Sequence, residues 1–188
     1  RAYAVVSGPS TYGTLTVNAT TGEWTYVLDN TLATTQALRE GQTETQTYVV
    51  RATDEFGAIV DQTVTVTING TNDAPVAATS TLAGSVTEAG ALDDRTAVSG
   101  TVSASGTLSV SDVDSSASAS WSAVGTPSTT YGTFTIGANG EWTYVLDNTL
   151  ATTQALREGE SVTETFVVRV TDDKGAFIDQ TVTVTING

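Results

Sequence analysis

Twenty residues, GEWTYVLDNTLATTQALREG, occur twice without a change, from Gly22 to Gly41 and again from Gly140 to Gly159. The offset is 118 residues, Trp24 to Trp142, and it holds to the closing DQTVTVTING of each copy. Upstream, STYGTLTV answers TTYGTFTI with one residue of slippage in the turn. A chain of 188 residues with this internal likeness is two versions of one unit. The second copy has a front end, roughly 74–120, that the first lacks. The chain therefore reads as the back part of one repeat (1–70), a short linker (71–75) and a whole repeat (76–188). That framing suggests a window on a longer array, because a domain without its opening strands exposes unpaired edges.

The local patterns are those of β-strands. Phe134 and Ile136, then Trp142, Tyr144 and Leu146, alternate with threonines and small residues across an Ala-Asn-Gly turn, which predicts a hairpin with one buried face. Phe166, Val168 and Val170 alternate with Val167 and Arg169, TDDKGAF turns the chain, and Val182, Val184 and Ile186 form the returning strand with threonines facing out. Only DNTLATTQAL breaks the alternation, and it predicts a short helical crossover capped by Asp147 or Asn148. Many short strands with regular turns and almost no helix specify an all-β chain of tandem Greek-key β-sandwiches joined by a short linker. Trp24, Trp121, Trp142, Tyr26 and Tyr144 read as core residues rather than as a platform for sugars.

Composition narrows the function. Twenty-one acidic against 7 basic residues give a formal net charge of −14, and Lys174 is the only lysine. Such a chain repels nucleic acid and anionic membranes and attracts cations, although acidic excess also serves solubility alone. It has no cysteine and no histidine. That excludes disulfides, thiolate or imidazole metal sites, the Ser-His-Asp triad and Cys-His nucleophiles, so a metal site here is built of oxygen, which favours calcium. No apolar run approaches the roughly 20 residues that span a bilayer, and Arg1-Ala2-Tyr3-Ala4 is not a secretion signal. Any export instruction is expected elsewhere.

The acids outside the strands gather at a few places: Glu88 in SVTEAG, Asp112 and Asp114 in SVSDVDSS, Glu158 in LREGE, Asp172 and Asp173 in VTDDKG, and Asp73 beside Asn72 in the linker. Most fall where a strand ends, hence at the poles of a sandwich. On an extended chain Asp112 and Asp114 point the same way. Two carboxylates about 5 Å apart repel by about 3 kcal/mol at an effective dielectric near 20. A pole holding several of them calls for a cation, and calcium takes about six to eight oxygens from carboxylates, amides and carbonyls. Singly, Asp172 before a glycine turn reads as an Asx-turn, and Glu88 and Glu158 as surface acids. The conjunction of linker, double-Asp loop and hairpin Asp is what points to metal.

YGTLTVNATTGEWTYVLDN, GTLSVSDVDS, VTE and TVTVTINGTNDAPV resemble the VCBS repeat, a bacterial cadherin-like module, across essentially the whole chain. The resemblance implies cadherin-like (Ig-like) sandwiches and a place in the long, calcium-dependent RTX-type adhesins exported by type I secretion, where such repeats extend adhesive tips from the cell. More distantly, Thr71-Asn72-Asp73-Ala74-Pro75 is similar to the cadherin linker, one residue shorter and without its leading Asp. Asp112-Val113-Asp114 is similar to the cadherin Asp-x-Asp loop, Val170-Thr171-Asp172 to its Ala-Thr-Asp, and Leu38-Arg39-Glu40 and Leu156-Arg157-Glu158 to its Asp-Arg-Glu. By that likeness Glu40, Asn72, Asp73, Asp112, Asp114 and Asp172 would form a calcium joint between repeats, with fewer ions than in a cadherin, and Glu88 and Glu158 would lie at the far pole.

The implied role is mechanical: a non-enzymatic extender at the bacterial cell surface or outside the cell, in adhesion or biofilm formation, with neighbouring repeats as its partners. Three alternatives stay open. The exposed sheet could bind surface glycans or proteins directly; a carboxylate pair could act as a glycosidase; or strands from another chain could complete the first repeat in a self-assembled fibre.

Overall fold

The computed structural model describes residues 1–91, 95–128 and 130–188, and the chain divides into two compact units. The first comprises Arg1–Asp73 together with Val113–Ala117, and the second comprises Ala74–Asp112 and Ser118–Gly188.

In the first unit the strands are β1 (Ala2–Ser7), β2 (Gly13–Val17), β3 (Trp24–Leu28), β4 (Thr43–Thr53) and β5 (Ile59–Asn69), with one helical turn, α1 (Ala33–Gln36). One sheet runs β1-β4-β5, and β2 pairs β3 in a separate hairpin. The long β4–β5 ladder runs from Thr43 opposite Asn69 to Thr53 opposite Ile59. Its core is small: Leu15, Tyr48 and Val50, with Val5, Val17, Tyr26, Val64 and Val66 packed around them.

The second unit begins with β6 (Val76–Ala77), β7 (Ala83–Thr87), β8 (Gly90–Ala91), β9 (Ala97–Val98), β10 (Ser103–Thr107) and β11 (Val110–Ser111). It continues with β12 (Ala119–Ala123), β13 (Gly132–Ile136), β14 (Glu141–Leu146), α2 (Ala151–Gln154), β15 (Ser161–Asp172) and β16 (Phe177–Asn187). One sheet has the order β12-β15-β16-β7 and the other β10-β14-β13. The chain crosses repeatedly between the two, and β7 lies parallel to β16, which makes the Greek key. Short pairs β6–β11 and β8–β9 complete it.

Alternation decides the core. Trp142, Tyr144 and Leu146 point inward from β14 while Thr143 and Val145 face out, and Phe166, Val168 and Val170 do the same on β15. Phe134 stacks on Phe166 with ring centroids 4.3 Å apart. The β13–β14 hairpin turns at Gly137–Gly140, where Gly140 has φ 85° and its N–H donates to Gly137 O at 2.9 Å, as the Ala-Asn-Gly signal predicts.

Two expectations need correction. The helix α2 exists, but Leu150 occupies its N-cap and no side chain caps it. Asp147 instead closes its own Asx turn, its Oδ1 accepting from Thr149 N–H at 2.8 Å and Thr149 Oγ1 at 2.6 Å, and these bonds hold its carboxyl below the usual range. The second correction concerns Trp24, which is 47% exposed, whereas Trp121 and Trp142 are core residues at 5% and 1%. The hairpin β2–β3 has no further strand beside β3 among the described residues, so nothing covers the indole there.

Candidate functional site

Pro75 restricts Ala74 to extended backbone. Asn72 and Asp73 are half-buried, and Asn72 Nδ2 donates to Asp73 O at 2.8 Å. Inside the first unit the Asp73 N–H donates to Asp114 Oδ2 at 2.9 Å. Asp114 is 6% exposed, and its Oδ1 is shielded from solvent. The loop around it is held at two more points: Ser115 N–H donates to Ala37 O at 3.1 Å, and Arg39 Nη1 to Ser116 O at 3.4 Å. Ser116 takes φ 58°, the left-handed bend that brings the loop round. Glu40 lies exposed in the turn after α1.

In the second unit Asp112 is half-buried, with Oδ2 shielded from solvent. Asp112 and Asp114 are not alternate residues of one strand, as the extended-chain reading supposes. The two-residue β11 ends at Ser111, its ladder with β6 stops there, and the chain bends at Val113 and Asp114. Asp172 ends β15 and is 7% exposed. Its Oδ1 accepts the N–H groups of Lys174 and Ala176, each at 2.8 Å. Asp54 does the same in the first unit, accepting from Phe56 and Ala58 at 2.9 Å. This oxygen of Asp172 is thus committed to an Asx turn that recurs wherever the TD…G pattern does. Glu88 and Glu158 line one groove of about 580 Å³ together with Arg157 and Gly188. Glu88 is half-buried, its N–H donating to Asn187 O at 2.8 Å, and Glu158 is exposed.

Among the described residues, no three acidic side chains gather closely enough to hold a metal ion. The donor chemistry nonetheless suits a hard divalent cation. The side-chain groups that the linker and the loop after β11 offer a metal are oxygens, the ligands that such a cation takes. With few carboxylates close by, the remaining ligands would be the Asn72 amide oxygen and main-chain carbonyls.

Sequence reasoning missed the grip of Ala37 and Arg39 on the Val113–Ala117 loop, contacts between residues far apart in sequence with no local signature. It also missed Glu164, a buried carboxylate at 8% exposure. Glu164 accepts from Tyr144 Oη and Ser128 Oγ, each at 2.7 Å. Burial and then the bond to Glu164 push the Tyr144 hydroxyl far above its ordinary value. Gln46 holds the matching place in the first unit, its Oε1 accepting from both Tyr26 and Tyr48 at 2.7 Å.

The Greek-key sandwich places the second unit in the all-β class of folds. The family model of the bacterial cadherin-like domain matches residues 72–188, more than half of the chain, and the chain belongs to that family. The family is of cadherin-like, adhesion-type domains, extracellular and typically non-enzymatic. No curated protein matches the chain. Among solved structures, PcdhgB3 EC1-4 is similar at 15% identity over 98% of this chain and 41% of that one, with a TM-score of 0.49. Mouse cadherin-23 EC22-24 is similar at 16% identity over 99% of this chain and 51% of that one, with a TM-score of 0.45. The human desmocollin-1 ectodomain gives 14% identity over 99% and 33%, with a TM-score of 0.43. This chain thus spans between a third and a half of those three chains. No helix among the described residues is long and apolar enough to cross a membrane.

Proposed function

We propose that this chain is a calcium-rigidified tandem repeat of a large secreted or cell-surface bacterial adhesin of the VCBS and RTX kind, and that it acts as an extender in adhesion or biofilm formation. The observation that carries this reading is the buried Asp114 carboxylate, held by the linker N–H of Asp73 in a chain of net charge −14. A bound calcium ion supplies positive charge and a common centre for oxygens. Asp73 and Asn72 present the linker to it; Asp112 and Asp114 present the loop; Glu40 and Asp172 are the further candidates, and Glu88 with Glu158 forms a separate one. Held together, linker and loop lose the freedom that a five-residue connection has when empty. The neighbouring repeats of an array are then the partners, and the useful property is length.

Extracellular calcium modules bind at about 0.1–1 mM. At about 10 mM calcium, binding to the folded state alone adds about 1.4–2.7 kcal/mol. The test is a thermal melt of the chain in chelator and then across a calcium series, with magnesium as control. The expected outcome is a calcium-specific rise in Tm that Asp114→Asn abolishes. A Tm indifferent to calcium would leave the acids as solubilising groups and "TNDAPV" as a plain hinge.

A further inference from the structure

The two units make the same hairpin turn from different residues, and one version carries an acceptor motif for a sugar. The β2–β3 turn runs from Asn18 to Glu23 and the β13–β14 turn from Gly137 to Gly140. Their main-chain bonds correspond. Asn18 N–H donates to Glu23 O at 2.8 Å and Gly22 N–H to Asn18 O at 2.9 Å; Gly137 N–H donates to Glu141 O at 2.8 Å and Gly140 N–H to Gly137 O at 2.9 Å. Ala19 O accepts from Tyr3 N–H at 2.9 Å, as Ala138 O accepts from Trp121 N–H at 3.0 Å. Asn18 thus stands where Gly137 stands, and the first turn is one residue longer. The extra residue completes Asn18-Ala19-Thr20, an Asn-x-Thr triplet, where the second turn reads Gly137-Ala138-Asn139.

Asn18, Ala19 and Thr20 are exposed. Gly137, Ala138 and Asn139 are exposed too, within the two-sheet sandwich of the second unit, so the exposure belongs to the turn and not to the strands around it. Asn18 Oδ1 accepts the N–H groups of Thr20 at 2.9 Å and Thr21 at 3.0 Å. Both partners are donors, which fixes that atom as the oxygen and leaves Nδ2 without a hydrogen bond among the described residues. Thr21 Oγ1 accepts from Glu23 N–H at 3.3 Å, so the turn uses the Thr21 hydroxyl and not that of Thr20. The other Asn-x-Thr triplet, Asn69-Gly70-Thr71, is built differently. Asn69 pairs with Thr43 in the β4–β5 ladder, and its Oδ1 accepts from Thr43 Oγ1 at 3.5 Å. Gly70 N–H donates to Gln42 O at 2.9 Å, and a Cβ on Gly70 would stand 2.2 Å from Arg39 O. An enzyme reaching for Asn69 meets a triplet held in the sheet; at Asn18 it meets an open turn.

We propose that Asn18 is a site of N-linked glycosylation and that Asn69 is not. The donor is a hexose activated on a diphosphate. Nδ2 of Asn18 attacks the anomeric carbon, and the bond from that carbon to the diphosphate oxygen breaks. Its electron pair leaves with the diphosphate, and Nδ2 gives one proton to a base of the transferring enzyme. Oδ1 and its two N–H donors take no part, so the turn keeps its bonds, and the bulky, solubilising sugar is added at an exposed position. No step involves calcium, so the proposal stands or falls apart from the calcium joint.

Trypsin separates the two triplets, since Asn18 falls in the peptide Ala2–Arg39 and Asn69 in Ala52–Arg95. Mass spectrometry of the whole chain, isolated from the cells that make it, should find Ala2–Arg39 heavier by at least one hexose. Fragmentation that spares side-chain bonds should place that mass on Asn18. Two variants should lose it while the circular dichroism of the folded chain stays the same. Asn18→Asp keeps Oδ1 for its two donors but has no Nδ2, and Thr20→Ala keeps the Thr20 N–H but has no hydroxyl. Unmodified chain from cell-free synthesis, incubated with soluble extract and UDP-glucose or with washed membranes, tells a nucleotide-borne hexose from a lipid-borne one, and transfer to Asn18 in one of them supports the proposal. An unmodified Ala2–Arg39 in the isolated chain, hexose on Asn69, or hexose retained in both variants would overturn it.

Discussion

Trp24 and Trp142 stand at the same place in an identical twenty-residue stretch, yet Trp24 is 47% exposed and Trp142 only 1%. The difference continues along the strand: Leu28 is 39% exposed against 4% for Leu146. On the returning strand, Val64 and Val66 are half-buried where Val182 and Val184 are sealed. Local sequence is not the variable, because both copies make the same hairpin, the same short helical turn and the same long ladder. What differs is the presence of β7 and β10, two strands of small residues that close the second sandwich and have no counterpart among the described residues of the first unit. A strand's alternation states which face is to be buried. Burial itself needs a second surface, and that surface lies elsewhere in the chain.

The largest expected effect tests this directly. Trp142→Ala should cost the second unit about 3–5 kcal/mol, the usual loss for deleting a buried aromatic side chain. Trp24→Ala should stay near the about 0.5 kcal/mol seen at exposed positions. Urea unfolding of the two variants measures the gap, and equal losses would break the comparison.

The buried polar pairs sharpen it further. Glu164→Ala leaves the buried Tyr144 hydroxyl and Ser128 without an acceptor and should cost about 1–3 kcal/mol. Adding Tyr144→Phe should recover part of that, because a missing hydroxyl needs no partner. Gln46→Ala should cost less, since one of its donors, Tyr26, is half-exposed and can turn to water. A double-mutant cycle showing no coupling between Glu164 and Tyr144 would contradict this account.

The smallest effect is a separation along the alkaline pH axis. Burial, and then the neighbouring Tyr48 hydroxyl, push the Tyr26 hydroxyl up to about 12. Tyr144 is raised further, by deeper burial and the Glu164 carboxylate. A phenol whose folded value lies above its unfolded one, about 10, favours the folded state while it is neutral. That contribution is whole below pH 10 and is lost as pH rises through the folded value. The first unit should therefore lose it between about pH 10 and 12, and the second should keep losing stability beyond that range. Tyrosinate absorbance should show Tyr26 ionising before Tyr144, and simultaneous ionisation would remove the difference in burial from the explanation.

Much of the fold was legible in the residues. The duplicated stretch announced a hairpin and a long ladder made twice, threonine–valine alternation announced the strands, and the absence of cysteine and histidine confined any metal site to oxygen ligands. Periodicity of two is a local property, set by the pleat, and so can be read locally. The candidate site was legible only in its residue types. Asp112 and Asp114 looked like neighbours on one strand until the end of the β6–β11 ladder let the chain bend between them. Asp172 read as an Asx turn before a glycine, and only the structure supplied the N–H groups its Oδ1 takes, those of Lys174 and Ala176, and the repeat of the turn at Asp54.

The sequence by itself determined the all-β class, the hairpins, the turn glycines and the acidic character, because each follows from a few consecutive residues. Only the tertiary structure decided which of two identical tryptophans is buried, which carboxylate the Asp73 N–H meets, and that Glu164 sits beneath Tyr144. Those outcomes depend on surfaces brought together from distant parts of the chain, and no window of sequence contains both partners.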